Sequence, residues 1–198
     1  MPTDLGLIIA NLTAFYDFRN KVVVHVGAGG GQLLGYARSS RKVLAVDRDP
    51  AAVRRLEEKV AEQELGETVT VVTGDFHVLD LQGDVVLFEF CLHEMPNPRT
   101  AIDHARAITS DIVVIDHLPE SEWARYANEE KDMARAWEAV AAARPRREES
   151  FQALQCFGNH GELRARFSGL GQESLRRISV LQEQAPIAIP MPYRIALL

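Results

Sequence analysis

Residues 21–31 read KVVVHVGAGGG, a β-branched apolar run that passes directly into a cluster of glycines. The first half has the continuous hydrophobic pattern of a short strand buried on both faces. The second half can turn sharply and admits a ligand to the backbone, because no Cβ stands in the way. A helix entered from such a turn also offers unpaired N–H groups. The spacing is G-x-G-x-G, at Gly27, Gly29 and Gly31. A dinucleotide fingerprint requires G-x-G-x-x-G, its third glycine allowing close helix–strand packing, and that position is Gln32.

Outward from this turn, strand and helix patterns alternate, the signature of an α/β fold with a mostly parallel sheet. Lys42–Asp47 (KVLAVD), Thr68–Thr73 (TVTVVT), Asp84–Phe90 and Asp111–Asp116 (DIVVID) read as strands two to five. Helices are expected over 4–18, Gln32–Ser39, Ala51–Leu65 and Arg99–Ile108, with Pro50 suited to a helix N-terminus. After strand five, Glu120–Ala143 reads as one long helix carrying Trp123, Tyr126, Met133, Trp137 and Val140 on a stripe. A helix at Gly161–Leu170 and strands at Leu175–Leu181 and Tyr193–Leu198 complete seven strands. No repeat or linker divides residues 1–198, so one domain is expected.

The net charge of −6 argues against electrostatic binding to nucleic acid or an anionic membrane. The basic group Arg144, Arg146 and Arg147 is answered at once by Glu148 and Glu149, and reads as a solvated mixed-charge surface. Two cysteines, Cys91 and Cys156, make neither a disulfide framework nor a C-x-x-C site. The opening MPTDLGLIIANL lacks a basic start, and no apolar run approaches the roughly 20 residues of a membrane helix. The expectation is a soluble cytoplasmic protein without membrane insertion. G-x-S-x-G and G-x-x-x-x-G-K-[ST] are both absent, which removes the common serine hydrolases and phosphate-loop nucleotide hydrolases.

Asp47 closes strand two, 20 positions beyond Gly27. In a doubly wound sheet a carboxylate there stands beside a ribose and can accept from its hydroxyls. It also serves as a surface acid before Pro50, and the two roles are compatible.

Four segments in order, VVVHVGAGGG, VLAVDRDP, VVTGDFHVLDL and DVVLFEFCLHEMPNP, resemble the class I S-adenosylmethionine-dependent methyltransferases, in particular the subgroup containing ubiquinone and menaquinone methyltransferases. The likeness covers residues 20–118 well and extends more loosely to the C-terminal strand. It implies a Rossmann-like sheet of seven mostly parallel strands, helices on both faces and an antiparallel last strand, with S-adenosylmethionine as cofactor. By the same resemblance Gly27, Ala28, Gly29 and Gly31 meet the methionyl part, Asp47 holds the ribose, and Arg48 flanks the adenine. Asp75 meets the adenine amino group with Phe76 beside the ring, while Glu89 and Phe90 lie under the methionyl group. Residues 1–20 would form a helical lid and 117–159 a helical insert that chooses the acceptor.

One position departs from the family. An acid usually stands two places before the first glycine, and here it is His25. A neutral imidazole accepts one hydrogen bond, whereas a protonated one repels the cofactor's ammonium. Glu89 stands where a small or amide-bearing residue is common, and is a candidate to supply the missing charge.

Displacement at a sulfonium relies chiefly on positioning, and a base is needed only where the acceptor must lose a proton. His93 and His117 are the candidate catalytic residues, with Glu94 and Asp116 near them at the carboxyl edge of the sheet. Adjacent His93-Glu94 is poor spacing for a metal on a helix, and no metal is expected. Trp123, Tyr126, Trp137, Phe151 and Phe157 offer aromatic cover for a small-molecule acceptor. An Asn/Asp-Pro-Pro-aromatic run, the mark of amide-nitrogen methylation, is absent. An NAD-dependent oxidoreductase and a non-catalytic partner subunit stay open as alternatives. Oligomeric state is open too, a homodimer being among the expectations.

Overall fold

A computed structural model describes residues 5–198. The helix expected over 4–18 is α1 (Leu5–Phe15), its first expected residue, Asp4, lying outside the described residues. The β-branched runs then form β1 (Val22–Val26), β2 (Lys42–Asp47), β3 (Val69–Thr73), β4 (Val85–Glu89) and β5 (Ile112–His117). Between them lie α2 (Pro50–Glu62) and α3 (Pro98–Ile108). Both helices begin in the way their sequence dictates. Asp49 and Asn97 accept first-turn backbone N–H groups, and Pro50 and Pro98 follow them with φ already helical.

The chain continues through α4 (Glu122–Ala127), α5 (Glu130–Ala142), β6 (Arg147–Phe151), β7 (Leu154–Phe157), α6 (His160–Phe167), α7 (Gln172–Ile178), β8 (Ile187–Pro190) and β9 (Tyr193–Leu197). Among the described residues, seven strands share one sheet in the order β3-β2-β1-β4-β5-β9-β6. β1 to β5 are mutually parallel, and β9 runs antiparallel to both β5 and β6. β7 and β8 pair separately. This is the expected Rossmann-like α/β sheet with an antiparallel last strand. Alternation along each strand divides the core. Val23, Leu87 and Ile115 face α1 and Tyr36, while Val24, Phe88 and Val114 face α3 and α5.

Strand order reverses between β1 and β4, so the connections leaving these strands travel in opposite directions. The crevice outside their carboxyl ends is where ligands bind in such sheets. The Val26↔Phe88 register therefore sets Gly27 beside Glu89.

Three expected elements differ. Gln32–Ser39 is not an α-helix but a 3₁₀ turn over Leu34–Ser39. Glu120–Ala143 is two helices, because Asn128 adopts φ 65 and ends α4 in the left-handed region that asparagine tolerates. Leu175–Leu181 is not a strand but lies in α7 and the 3₁₀ turn after it. There the Ser174 hydroxyl donates to Ala127 O at 2.8 Å, and Ser174 and Ile178 bury one turn apart. The missing strand is supplied by β6. The segment 117–159, expected as a helical insert, thus holds β6 and β7 as well as two helices. No helix among the described residues is long and apolar enough to cross a membrane.

Candidate active site

The glycine turn uses its three glycines in three ways. Gly27, Gly29 and Gly31 all have positive φ, 71, 51 and 73, which is strained for any side-chain-bearing residue. A Cβ on Gly27 would overlap Cys91 Cβ and come within 2.5 Å of its Sγ, so Gly27 lets the turn lie against the end of β4. A Cβ on Gly31 would press at 3.1–3.2 Å on Leu34, Leu56 and Lys59. Gly31 thereby serves the packing that a glycine at position 32 serves in dinucleotide folds. At Gly29 the nearest atom, Gly27 O, is 3.7 Å away.

Asp47 ties this turn to β2. Its Oδ2 accepts the Gly29 N–H at 2.9 Å and its Oδ1 the Asp49 N–H at 2.9 Å. Beside it opens a cleft of about 120 Å³. Gly27, Asp47, Arg48, Asp75 and Phe76, drawn from three separate loops, line it together, with Cys91, Glu94 and Met95 opposite. Asp75 is fixed by accepting the His77 N–H at 3.0 Å. The Phe76 ring is held edge-on by His104 at 4.8 Å and Phe88 at 5.5 Å. The cleft wall does not include His25, Ala28, Gly29, Gly31, Glu89 or Phe90.

His25 and Ala28 are fully enclosed. Beneath the turn Tyr36, His25 and Glu89 form a buried row. Tyr36 OH is 2.9 Å from His25 Nδ1, and His25 Nε2 is 2.6 Å from Glu89 Oε2. That approach lies off the N–H direction, and neither Nε2 nor Oε2 completes a hydrogen bond. A nitrogen so close to a carboxylate oxygen must carry the proton, which leaves Nδ1 to accept from Tyr36. Burial, reinforced by Glu89, pushes the Tyr36 phenol well above its ordinary range, in keeping with a hydroxyl that donates.

Farther along the same edge, Asp116 accepts from His93 Nδ1 at 2.7 Å, from His93 N at 3.2 Å and from His117 N at 2.8 Å. Burial alone would lower the His93 pKa, but Asp116, Glu129 and Glu94 outweigh it and raise it to about 9. His117 is driven the other way, to about 3, by its own burial and by the neighbouring His93, against the opposing Asp116. At neutral pH the site thus pairs an imidazolium with a neutral imidazole whose Nδ1 has no partner. The His117 ring stacks on Phe90 at 4.5 Å, and Trp123 stands 6.3 Å away. Phe90 holds φ 46, a strained conformation for an aromatic residue. No group of three or more His, Cys, Asp or Glu side chains among the described residues is placed to hold a metal ion.

Residues 24–115 match the model of the family described as "Methyltransferase domain". That match runs from β1 into β5 and takes in the glycine turn, Asp47 and Asp75. A probable cobalt-precorrin-6B C(15)-methyltransferase (decarboxylating) from Methanothermobacter thermautotrophicus is 41% identical over 58 residues. That match spans 29% of this chain and 30% of the relative. The YcgJ protein of Bacillus subtilis superposes with a TM-score of 0.67 at 16% identity, over 98% of this chain and 97% of that one. Magnesium protoporphyrin IX methyltransferase of Synechocystis PCC 6803, solved with bound SAH, gives 0.59 at 13% identity, over 97% and 81%. At these identities the structural likeness is one of fold.

S-adenosylmethionine, the cofactor of this methyltransferase family, fits the residues present. The cleft carries the Phe76 ring and the carboxylates of Asp47, Asp75 and Glu94. Gly27, whose Cβ position is closed by Cys91, bounds it at the end of β1. Tyr36, Cys91 and Glu129 stand at this site although the sequence pattern does not single them out for it. Cys91 had a local signal, since it lies one register step beyond Glu89. Tyr36 and Glu129 had none, because they arrive from separate segments.

Proposed function

We propose that this chain transfers a methyl group from S-adenosylmethionine to a small-molecule acceptor. The observation that carries this reading is the convergence of Gly27, Asp47, Arg48, Asp75 and Phe76 on one cleft at the strand-order reversal. When bound, the cofactor supplies an electrophilic methyl on a sulfonium. The protein's part is then to hold and orient. Asp47 grips the ribose while bracing the turn, Asp75 meets the adenine amino group, and Phe76 and Arg48 flank the ring. Gly29, with no Cβ, leaves room for the amino acid end to pass.

His93 and His117 are the candidate catalytic pair. His117, neutral and with Nδ1 unpartnered, accepts a hydrogen bond from an acceptor hydroxyl or amine. His93, held charged by Asp116, stabilises the anion of an acceptor that loses its proton before attack. The acceptor lies against Phe90, His117 and Trp123, and α1 closes over the cofactor as a lid. The net charge of −6 supports a small molecule over nucleic acid. The two free cysteines suit a reducing, cytoplasmic setting.

A thermal-shift titration tests the cofactor. S-adenosylhomocysteine at a hundredfold excess over its dissociation constant should stabilise by about 2.7 kcal/mol, and NADH should not. Stabilisation by NADH alone would move the chain to the oxidoreductase reading.

A further inference from the structure

We infer that the acceptor presents a hydroxyl group, and that Glu129 is the base that takes its proton while His93 holds its oxygen. The inference rests on the methyl-transfer reading above and adds the acceptor's chemistry to it. The His93 side chain is only 4% exposed, and Asp116 already accepts from its Nδ1. Its Nε2 makes no hydrogen bond among the described residues, because Glu129 Oε2 stands 3.8 Å away, beyond hydrogen-bond reach. Unlike His117 Nδ1, this nitrogen is not sealed from solvent. Glu129, 24% exposed, faces it from the turn that ends α4 at Asn128. Glu94, next along the chain from His93, lines the cofactor cleft and raises the Glu129 pKa, so the gap between His93 and Glu129 lies at the edge of that cleft. An oxygen about 2.8 Å from both atoms closes the gap, accepting from His93 and donating to Glu129.

Lone pairs select the acceptor. A hydroxyl oxygen has two of them and one proton. One lone pair takes the His93 N–H, the proton goes to Glu129, and the second lone pair stays free to attack the methyl. A neutral amine has a single lone pair, which His93 would occupy. A protonated amine is repelled by the imidazolium, and a carboxylate by Glu129. In the step itself the O–H bond breaks toward Glu129, the new O–C bond forms to the methyl, and the S–C bond breaks with its electron pair passing to sulfur. The proton then leaves Glu129 for water, which its partial exposure allows. Burial raises the Glu129 pKa against the opposing His93, which makes it a stronger base than His117 at about 3. His117 is left to hydrogen-bond elsewhere on the acceptor.

The test is 4-nitrophenol titrated into protein saturated with S-adenosylhomocysteine, one pH unit below the probe's own pKa. Absorbance reads its ionisation, and calorimetry in two buffers of different ionisation heat counts protons. The bound probe should show the phenolate band while no proton reaches the buffer, because Glu129 keeps it. Glu129→Gln should bind the probe but release about one proton for each one bound. His93→Gln should leave the bound probe neutral. 4-Nitroaniline, of the same shape, should bind wild-type protein at least about tenfold more weakly, the scale of a lost charged hydrogen bond. If Glu129→Gln folds poorly, the wild-type measurements decide alone. A probe bound as neutral phenol, a proton released by the wild type, equal release from both proteins, or 4-nitroaniline binding as tightly overturns the inference. So does a probe that fails to bind protein carrying S-adenosylhomocysteine. Protein that takes up no S-adenosylhomocysteine overturns the cofactor reading instead.

Discussion

The Asp116 carboxylate clasps His93, taking the ring Nδ1–H on Oδ1 at 2.7 Å and the backbone N–H on Oδ2 at 3.2 Å. Asp116 is almost wholly buried, and so is His93. Asp116→Asn should leave His93 with a weakened partner and cost roughly 3–5 kcal/mol, the usual result of breaking a buried pair from one side. Urea denaturation of the variant against the wild type measures this, and a loss below about 1 kcal/mol would mean that the pair does not hold the β4–β5 edge together.

The same pair sets a pH dependence of stability. The His93 pKa is raised from 6.5 to about 9 in the folded protein, so its contribution is complete below about 6.5 and is lost as pH rises through 9. The shift corresponds to roughly 3 kcal/mol. His117 has a depressed pKa of about 3, so the fold is penalised as pH falls from 6.5, where the unfolded chain takes up a proton that the native state refuses. Melting temperature should peak near pH 6.5, and His93→Gln should flatten the decline between pH 7 and 9.

Gly27 and Gly29 should separate under mutation although both have positive φ. Gly27→Ala suffers the backbone strain and the overlap with Cys91, and should lose roughly 3 kcal/mol together with cofactor binding. Gly29→Ala has space for its Cβ and should lose about 1 kcal/mol of stability from φ alone. Thermal melts of the two variants side by side check the order.

The parallel half of the sheet and the glycine turn were legible because their signals are local. A β-branched run such as KVVVHV, a glycine cluster and a cap-Pro pair each specify one conformation within a few residues. The C-terminal half was less legible. REESF reads as a charged surface because β6 is an edge strand, and its Arg147–Glu149 and Glu148–Arg194 pairs are those of an exposed edge. The apolar positions of Leu175–Leu181 fit either period, and packing of Ser174 and Ile178 under α4 resolves them as helix. His93 and His117 could be singled out by their place after β4 and at the end of β5. Their opposite charge states could not, because these depend on how Asp116 and Glu129 pack around them.

Asn128 should tolerate glycine but not β-branched residues. It turns the chain between α4 and α5 at φ 65 and brings Glu129 within 3.8 Å of His93 Nε2. Asn128→Gly should change stability by less than about 0.5 kcal/mol, whereas Asn128→Val should cost at least about 1 kcal/mol. Chemical denaturation of both variants measures the difference.

The cofactor site itself is tested most directly by a crystal structure grown with S-adenosylhomocysteine. The adenine should lie against Phe76 with its amino group at Asp75, the ribose hydroxyls within hydrogen-bond reach of Asp47, and the homocysteine passing over Gly27 and Gly29. Density for the ligand elsewhere on the molecule, with the cleft between Asp47 and Phe76 filled only by water, would contradict the account.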